Sequence, residues 1–248
     1  MRILLLGGTT EASQMAMALA NAGVDAVFSY AGRTKMPVGQ PLETRIGGFG
    51  GLAGLVEYVR AENISHIIDA THPFASGMSR NAFDASQQAG LPLIRLERPA
   101  WEPQTGDRWT QVPAIEGLPA ALPSTPSRVF LAIGKQQVAL FAAKPQHHYL
   151  LRLVDAPEGP LPLPDTRVVL ARGPFELNGD LALLRAHRIS HIVAKNAGGS
   201  GARAKLDAAR VLGLDVLMAE RPAIPGEVTA QTVAEAMAWL HHVADRGV

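Results

Sequence analysis

Two segments of the chain, about half its length apart, repeat the same pattern of residues. LVEYVRAENISHI at residues 55–67 matches DLALLRAHRISHI at 180–192 without a gap. DASQQAGLPLIRLERPA at 84–100 matches DAARVLGLDVLMAERPA at 207–223, and both copies end in ERPA. The offset falls from 125 to 123 because the intervening loops differ by two residues. The sequence of 248 residues is therefore predicted to contain two related halves.

Each half alternates short apolar segments with segments of helix-forming residues. RILLL (2–6) is an unbroken apolar run that stops at Gly7, and the next segment has Thr9 or Thr10 as its N-cap and stops at Gly23. Five such strands are predicted in each half. Unbroken apolar strands separated by helices are typical of a parallel sheet covered on both faces. The predicted fold is therefore α/β, with two Rossmann-like parallel-sheet halves related by the internal repeat and facing each other across a cleft.

The boundary between the halves is predicted within a proline-rich segment, residues 119–126. This boundary divides the chain into residues 1–124, expected to bind a dinucleotide, and residues 125–248, expected to bind a substrate. Two similar halves could exchange a strand, so the sequence leaves open which sheet each terminal strand joins.

Composition excludes several classes of function. A net charge of +1 argues against nucleic-acid binding through bulk charge, and the absence of cysteine excludes thiolate metal sites. The histidine pairs at 147–148 and 241–242 lack a third ligand at metal spacing, so no metal site is predicted. The apolar run at the start is too short for a signal peptide or a membrane span, which predicts a cytoplasmic protein that does not bind membranes. The sequence leaves the oligomeric state open.

Ligands of open α/β sheets bind beyond the carboxyl ends of the strands, and glycine and hydroxyl residues collect there in the first half. GGTTEA opens a helix whose N–H groups and dipole favour a phosphate, although it departs from the G-x-G-x-x-G fingerprint. AGRTK ends the second strand with cations and no acidic residue, which favours NADP over NAD. The predicted cofactor-binding residues are Gly8, Thr9, Thr10, Glu11, Arg33, Thr34, Lys35, Gly48, Thr71 and His72.

KNAGGSGARAK, at 195–205, is the loop of the second half that corresponds to ATHPFASG (70–77) in the first half, and its chemistry is different. Several cations beside flexible backbone predict a ligand that carries several negative charges. By the logic of the repeat, the lysine of GKQQ points to the same place. The predicted substrate-binding residues are Lys135, Lys195, Asn196, Gly199, Ser200, Gly201, Arg203 and Lys205.

Together, LLLGGTTEA, GGFGG, DATHPFA, AIGKQ and VAKNAGGSGARAKLDAA followed by ERP resemble the precorrin-6A reductases of cobalamin biosynthesis. The resemblance covers nearly the whole chain. It implies an enzyme that uses NADPH to reduce one double bond of precorrin-6A, giving precorrin-6B (dihydroprecorrin-6), without a metal or a flavin. The many carboxylates of this polyanionic tetrapyrrole would account for the cations of the second half. The family includes enzymes for cobalt-free and cobalt-containing substrates, and the sequence does not distinguish the two.

Two other classes of protein stay open at this stage. A sugar-nucleotide transferase also pairs two Rossmann-like halves, but it would leave GGTTEA and Arg33 without a role. A non-catalytic NADP-binding module would not need the cation-rich loop of the second half. For a reductase, His72 and Lys195 are the candidate proton donors, with water as the alternative, because a lone histidine is as often a structural hydrogen-bonding residue.

Overall fold

The computed structural model describes residues 1–32, 37–224 and 228–245, apart from the side chains of residues 244 and 245. The chain divides into two compact units: unit 1 comprises Met1–Pro99 and Pro222–Val248, and unit 2 comprises Ala100–Arg221. Each unit contains a six-stranded sheet, and every pair of neighbouring strands in both sheets is parallel. The predicted α/β fold, with one parallel sheet for each copy of the repeat, is confirmed. The predicted cleft between the halves stays a prediction.

The strands and helices are numbered along the chain. The strands are β1 (Arg2–Leu6), β2 (Asp25–Tyr30), β3 (Glu43–Ile46), β4 (His66–Asp69), β5 (Leu93–Leu96), β6 (Arg108–Val112), β7 (Arg128–Ala132), β8 (His148–Leu153), β9 (Thr166–Leu170), β10 (His191–Lys195), β11 (Asp215–Ala219) and β12 (Val228–Ala230). The α-helices are α1 (Thr10–Asn21), α2 (Gly51–Ala61), α3 (Ser76–Ala89), α4 (Leu118–Ala121), α5 (Leu177–Ala186), α6 (Ala204–Leu212) and α7 (Val233–Asp245). Two 3₁₀ helices span Ile115–Gly117 and Lys135–Ala143.

The two sheets have the same arrangement. Their orders are β12-β5-β4-β1-β2-β3 in unit 1 and β6-β11-β10-β7-β8-β9 in unit 2, so each strand has a counterpart at the same place. Both faces of the unit 1 sheet are covered: Ile3 and Leu5 of β1 pack into one core with α1 and α7, whereas Leu4 and Leu6 pack into the other with α2 and α3. This two-sided burial explains the unbroken apolar strands. Within the described residues, no helix is both long and apolar enough to cross a membrane.

Each sheet receives its edge strand from the other half of the sequence. β6 follows β5 along the chain but pairs with β11, and β12 follows β11 but pairs with β5. The chain passes between the units at residues 99–100 and 221–222, inside the two ERPA segments. The units therefore differ from the predicted segments 1–124 and 125–248, since the terminal strands are exchanged. The sequence analysis did not predict β6, which is mostly polar, or β12, which has only three residues.

The repeated ISH segments have the same backbone geometry in both units. Asn63 and Arg188, at equivalent positions before these segments, have φ of 51° and 50° and are the non-glycine residues with positive φ in the described chain. Ser65 Oγ and Ser190 Oγ each accept the backbone N–H of the first residue of the central strand, β1 or β7, at 3.0 and 3.3 Å. The repeat therefore preserves a turn and the bonds that fix it, which is a structural role.

Candidate functional site

The strand order reverses between β1 and β4 in unit 1, and between β7 and β10 in unit 2. In open parallel sheets such a topological switch point is where ligands bind, beyond the carboxyl ends of the strands. The switch point of unit 1 lies between residues 7–9, after β1, and residues 70–75, after β4. That of unit 2 lies between residues 133–134 and residues 196–203. These loops contain or adjoin most of the predicted site residues.

The loop after β1 requires glycine at two positions, for different reasons. A Cβ atom at Gly7 would lie 2.1 Å from Phe28 Cζ, because the ring of β2 packs directly against this backbone. Gly8 has φ of +128°, a conformation that L side chains rarely adopt, and a Cβ atom there would meet no described atom within 4 Å. The backbone is therefore open at the point where α1 begins, so that a phosphate can approach its N–H groups closely.

Thr9 connects the two loops of the unit 1 switch point. It is the N-cap of α1, since its Oγ1 accepts the Ala12 N–H at 3.1 Å, and the same hydroxyl donates to Ala70 O at 2.8 Å. Thr10 follows and is exposed. Glu11, in the first turn of α1, pairs with Arg98 of the first ERPA segment. Thr9 and Glu11, both predicted to bind the cofactor, therefore also fix the start of α1 to the loops beside it.

A buried carboxylate lies at the end of β4. Asp69 is 1% exposed, and its Oδ1 accepts the Thr71 backbone N–H at 3.0 Å and the Thr71 hydroxyl at 2.7 Å. Asp69 Oδ2 has no hydrogen-bond partner among the described residues. His72 is exposed, and its Nδ1 accepts the Phe74 N–H at 3.2 Å. Asp69 therefore orients Thr71, whereas His72 lies at the surface of the loop.

Arg45 closes the loop after β3. Its Nη1 donates to Ser29 Oγ at 2.7 Å and to Gly47 O at 2.9 Å, and its Nη2 donates to Gly48 O at 3.3 Å. Its guanidinium carbon lies 3.8 Å from the centre of the Phe49 ring. Gly48, predicted to bind the cofactor, is thus held through its carbonyl. Three further predicted cofactor residues lie outside the described residues, namely Arg33, Thr34 and Lys35.

The switch point of unit 2 is connected by side chains. Lys195 Nζ, at the end of β10, donates to Gln137 Oε1 at 3.0 Å. Gln137 belongs to the 3₁₀ helix Lys135–Ala143 that follows β7, where unit 1 has the α-helix α1. A 3₁₀ helix has poorer hydrogen-bond geometry than an α-helix, so its N-terminus is a weaker anion site. Lys135, its first residue, is exposed and supplies a full positive charge instead.

The glycine-rich loop, defined as residues 196–203, contains four of the predicted substrate-binding residues besides Arg203. Asn196 is 9% exposed, and its side chain bonds both the N–H and the carbonyl of Trp101, at 2.7 and 2.9 Å. Gly199 follows another glycine, and both have positive φ. Ser200 and Gly201 are exposed. Asn196 therefore faces the interior of unit 2, whereas Ser200 and Gly201 form the outer part of the loop.

The two cations after this loop have different environments. Arg203 pairs with Asp207 on α6 at 3.4 Å and is partly exposed. Lys205 is 4% exposed and lies close to the buried ion pair of Arg152 and Asp180. Burial lowers the pKa of Lys205 to about 7, with a further lowering from Arg152 and an opposing effect of Asp180. The structure thus places Lys205 in the interior, and its predicted contact with a substrate stays untested.

Sequence reasoning missed several residues that shape these loops: Arg45, Asp69, Arg98, Trp101 and Arg221. The ERPA segments were recognised as the ends of the repeat, and the arginine of each could have been singled out by its recurrence. Asp69 lies in DATHPFA but reads as part of a strand. Across the part of the chain that the structure describes, no three His, Asp or Glu residues come together in a group that could hold a metal ion.

Two parallel sheets, one with an open glycine turn at its switch point and one with cations there, define a two-unit α/β protein. The chain belongs to the precorrin-6x reductase family, CbiJ/CobK, whose profile matches residues 2–241. The precorrin-6A reductase of Rhodobacter capsulatus is 61% identical to it over 249 residues, which are 100% of this chain and 99% of the relative.

A solved structure and a more distant relative extend this comparison. The structure described as CobK precorrin-6A reductase matches with a TM-score of 0.94 and 61% identity, covering 97% of this chain and 96% of that chain. The cobalt-precorrin-6A reductase of Priestia megaterium is 30% identical over 90% of this chain and 91% of its own length. The family that the sequence motifs resemble is therefore confirmed over nearly the whole chain.

Proposed function

We propose that this chain catalyses the NADPH-dependent reduction of one double bond of precorrin-6A, giving precorrin-6B (dihydroprecorrin-6), in cobalamin biosynthesis. Family membership supports a reductase, because the matched family and relative are named precorrin-6x reductase and precorrin-6A reductase. The structural observation that carries the proposal is the open turn at Gly8, which lies at the N-terminus of α1 and at the switch point of unit 1. This is the place and the backbone geometry that a pyrophosphate requires.

The cobalt-free tetrapyrrole is the proposed substrate. The relative named precorrin-6A reductase shares 61% identity with this chain, whereas the relative named cobalt-precorrin-6A reductase shares 30%. Residues that discriminate between the two substrates are expected to follow overall similarity within a family.

The residues of unit 1 fit a dinucleotide. Gly8 leaves space beside the backbone, α1 directs its first N–H groups and the positive end of its dipole to that space, and Thr10 is exposed next to it. Arg33, which follows β2 in the sequence, is proposed to bind the 2′-phosphate that distinguishes NADPH from NADH. When bound, NADPH supplies a hydride to the substrate.

The cations of unit 2 are proposed to bind the carboxylates of the tetrapyrrole. Lys135 is exposed, Lys195 is half-buried, and Arg203 lies at the end of the glycine-rich loop beside exposed Ser200. Partly exposed ion pairs are screened by salt, so substrate binding should weaken as ionic strength rises. Lys205 is buried and is proposed to support the loop from behind.

Reduction of a double bond also needs a proton. His72 and Lys195 are the proposed donors, one at the switch point of each unit, and water is the alternative. The exposure of His72 fits exchange with solvent, and the bond from Lys195 to Gln137 holds its ammonium group at the end of β10. Assays of His72→Ala and Lys195→Ala at saturating precorrin-6A would show which donor lowers kcat when removed.

The test of the proposed function follows NADPH oxidation by the purified chain with precorrin-6A. We expect one NADPH consumed per macrocycle reduced, no loss of rate with a chelator, and a preference for NADPH over NADH of about 10–150-fold, since a charged hydrogen bond contributes about 1.5–3 kcal/mol. Arg33→Ala should bring the two dissociation constants close together. NADPH binding without turnover of precorrin-6A would instead favour a non-catalytic NADP-binding module.

The assignment of the two ligands to the two units has its own test. Arg203→Ala should raise KM for precorrin-6A while leaving the NADPH dissociation constant unchanged, and the increase should be smaller at high salt. Loss of NADPH binding in this variant would mean that the roles of the units are reversed.

A further inference from the structure

The glycine-rich loop is held by residues at both ends of unit 2. Trp101 is the second residue of this unit and Arg221 is the last. Arg221 Nε donates to Asn196 O at 2.9 Å, and its Nη2 donates to Ala197 O at 3.1 Å. Asn196 in turn bonds both backbone polar groups of Trp101. The two chain segments that enter and leave unit 2 therefore meet at the start of this loop.

Trp101 also reaches the middle of the loop with its side chain. The indole is 5% exposed, and its Nε1 donates to Gly199 O at 2.7 Å. Lys205 Nζ lies 4.8 Å from the centre of the indole ring and donates to Ala202 O. Asn196 is thus bonded to the backbone of Trp101, Gly199 to its indole N–H, and Ala202 to the Lys205 amine that lies over its ring.

The middle of the loop, residues 198–201, consists of three glycines and an exposed serine. Gly198 and Gly199 have φ of 68° and 72°, and consecutive glycines carry no side chains that could pack. Backbone hydrogen bonds join the loop to distant segments of the chain: the Asn196 N–H donates to Ala219 O at 3.0 Å, and the Phe175 N–H donates to Gly201 O at 3.2 Å. Because the indole N–H adds a bond to Gly199 and little packing area, it selects one conformation of the loop more than it stabilises the fold.

We propose that Trp101 is a positioning residue: its indole N–H fixes the glycine-rich loop in the conformation that presents Ser200, Gly201 and Arg203 to the carboxylates of the tetrapyrrole. This inference rests on the proposed function, since it takes the loop to be the substrate-binding one. Trp101 contacts no reacting atom in this account; it acts through Gly199.

The unit contains a matched control for the indole N–H. Trp109, on β6, packs against the same core as Trp101, and its Nε1 is buried with no hydrogen-bond partner among the described residues. Trp101→Phe removes an N–H that donates to the loop, whereas Trp109→Phe removes one that donates to nothing described. Both substitutions keep an aromatic ring in place.

The experiment compares these two variants with wild type by steady-state kinetics, NADPH titration and hydrogen exchange. For Trp101→Phe we expect KM for precorrin-6A to rise about three- to tenfold, the effect of losing one hydrogen bond, with kcat within about twofold and the NADPH dissociation constant unchanged. Amides of residues 198–202 should exchange faster by a similar factor. Trp109→Phe should match wild type in KM and in exchange of this loop.

Unchanged exchange of the loop amides in Trp101→Phe, or equal effects of the two substitutions, would overturn the inference while leaving the proposed reductase intact. Absence of precorrin-6A reduction by wild type would overturn both. If Trp101→Phe does not fold, the isosteric analogue with sulfur in place of the indole N–H, inserted at position 101, gives the same comparison without a change of shape. The same KM and exchange shifts are expected for it.

Discussion

The two switch points of the molecule have the same framework and different chemistry. At equivalent positions after the central strand, unit 1 has Gly7 and Gly8, whereas unit 2 has Ile133 and Gly134. Gly8 has φ of +128° and opens an α-helix; Gly134 has φ of −73° and precedes a 3₁₀ helix. Both copies of the repeat therefore keep the same strand order and register, whereas a few loop positions differ in backbone geometry and charge; we propose that these positions determine which ligand each sheet end accepts.

The interiors of the units also share a framework and differ in chemistry, because unit 2 has charged residues at positions where unit 1 has uncharged ones. Leu55 and Ala82, fully buried in unit 1, occupy positions equivalent to Asp180 and Lys205 in unit 2. Ser29 of β2 corresponds to Arg152 of β8, which pairs with Asp180. A buried ion pair contributes little net stability compared with apolar residues of similar size. The charged interior of unit 2 is therefore better explained by support of the glycine-rich loop than by stability.

The largest effect is expected from substitution of Gly7, where the two units differ, and it is on the free energy of unfolding. Gly7→Ala brings a methyl group within 2.1 Å of the ring of Phe28, which is fully buried and cannot move aside. We expect the free energy of unfolding to fall by about 3 kcal/mol, the upper part of the range for overpacking. Urea unfolding followed by near-ultraviolet circular dichroism measures it.

The same comparison supplies the control and the rescue for Gly7→Ala. Unit 2 has Leu151 at the position of Phe28, so adding Phe28→Leu to Gly7→Ala should restore part of the loss. Gly134→Ala should be within about 1 kcal/mol of wild type, because among the described residues its Cβ atom would meet only Gln137 Oε1, at 3.6 Å. A Gly7→Ala variant as stable as wild type would contradict the packing argument.

The next effect is on cofactor binding, at Gly8. An alanine at φ of +128° is strained by about 1–3 kcal/mol, so Gly8→Ala should rotate the turn and move the N–H groups away from a phosphate. We expect NADPH to bind about 10–100-fold more weakly in a fluorescence titration, whereas Gly134→Ala should leave its affinity within about twofold. Weaker NADPH binding by Gly134→Ala, with unchanged binding by Gly8→Ala, would assign the dinucleotide to unit 2.

The sequence predicts the framework well because the framework is repeated. The ISH copies, the unbroken strands and the glycine stops all depend on local backbone geometry and two-sided burial, both of which a sequence pattern reports. The edge strands β6 and β12 were missed because strand exchange is a property of tertiary pairing: neither segment has a core pattern of its own.

The site was predicted less completely, for a similar reason. The loops at the sheet ends could be located from the strand pattern, but the direction of each side chain could not. Lys205 belongs to a cation-rich segment and is nevertheless buried, because the turn of α6 that carries it faces the core. Trp101 and Asn196 are 95 residues apart in sequence, and no local pattern reports their contact.

The last expected effect concerns the pH dependence of stability, and it separates the charged interior of unit 2 from the apolar interior of unit 1. The pKa of Lys205 is lowered by burial to about 7 from the ordinary 10.5. Between these values the unfolded chain holds a proton that the folded chain lacks, so the contribution of this lysine to the free energy of unfolding rises with pH, by about 1 kcal/mol per pH unit. Below about pH 7 both states carry the proton, and the burial of the charge is then most unfavourable.

The stability of wild type relative to Lys205→Met should therefore increase from about pH 7 to pH 9.5 in urea titrations. Lys135→Met, which alters an exposed lysine of the same unit, should show no such trend relative to wild type. A constant difference between wild type and Lys205→Met across this range would mean that Lys205 keeps its charge in the interior, and the loop would then be held by an ammonium group paired with Asp180.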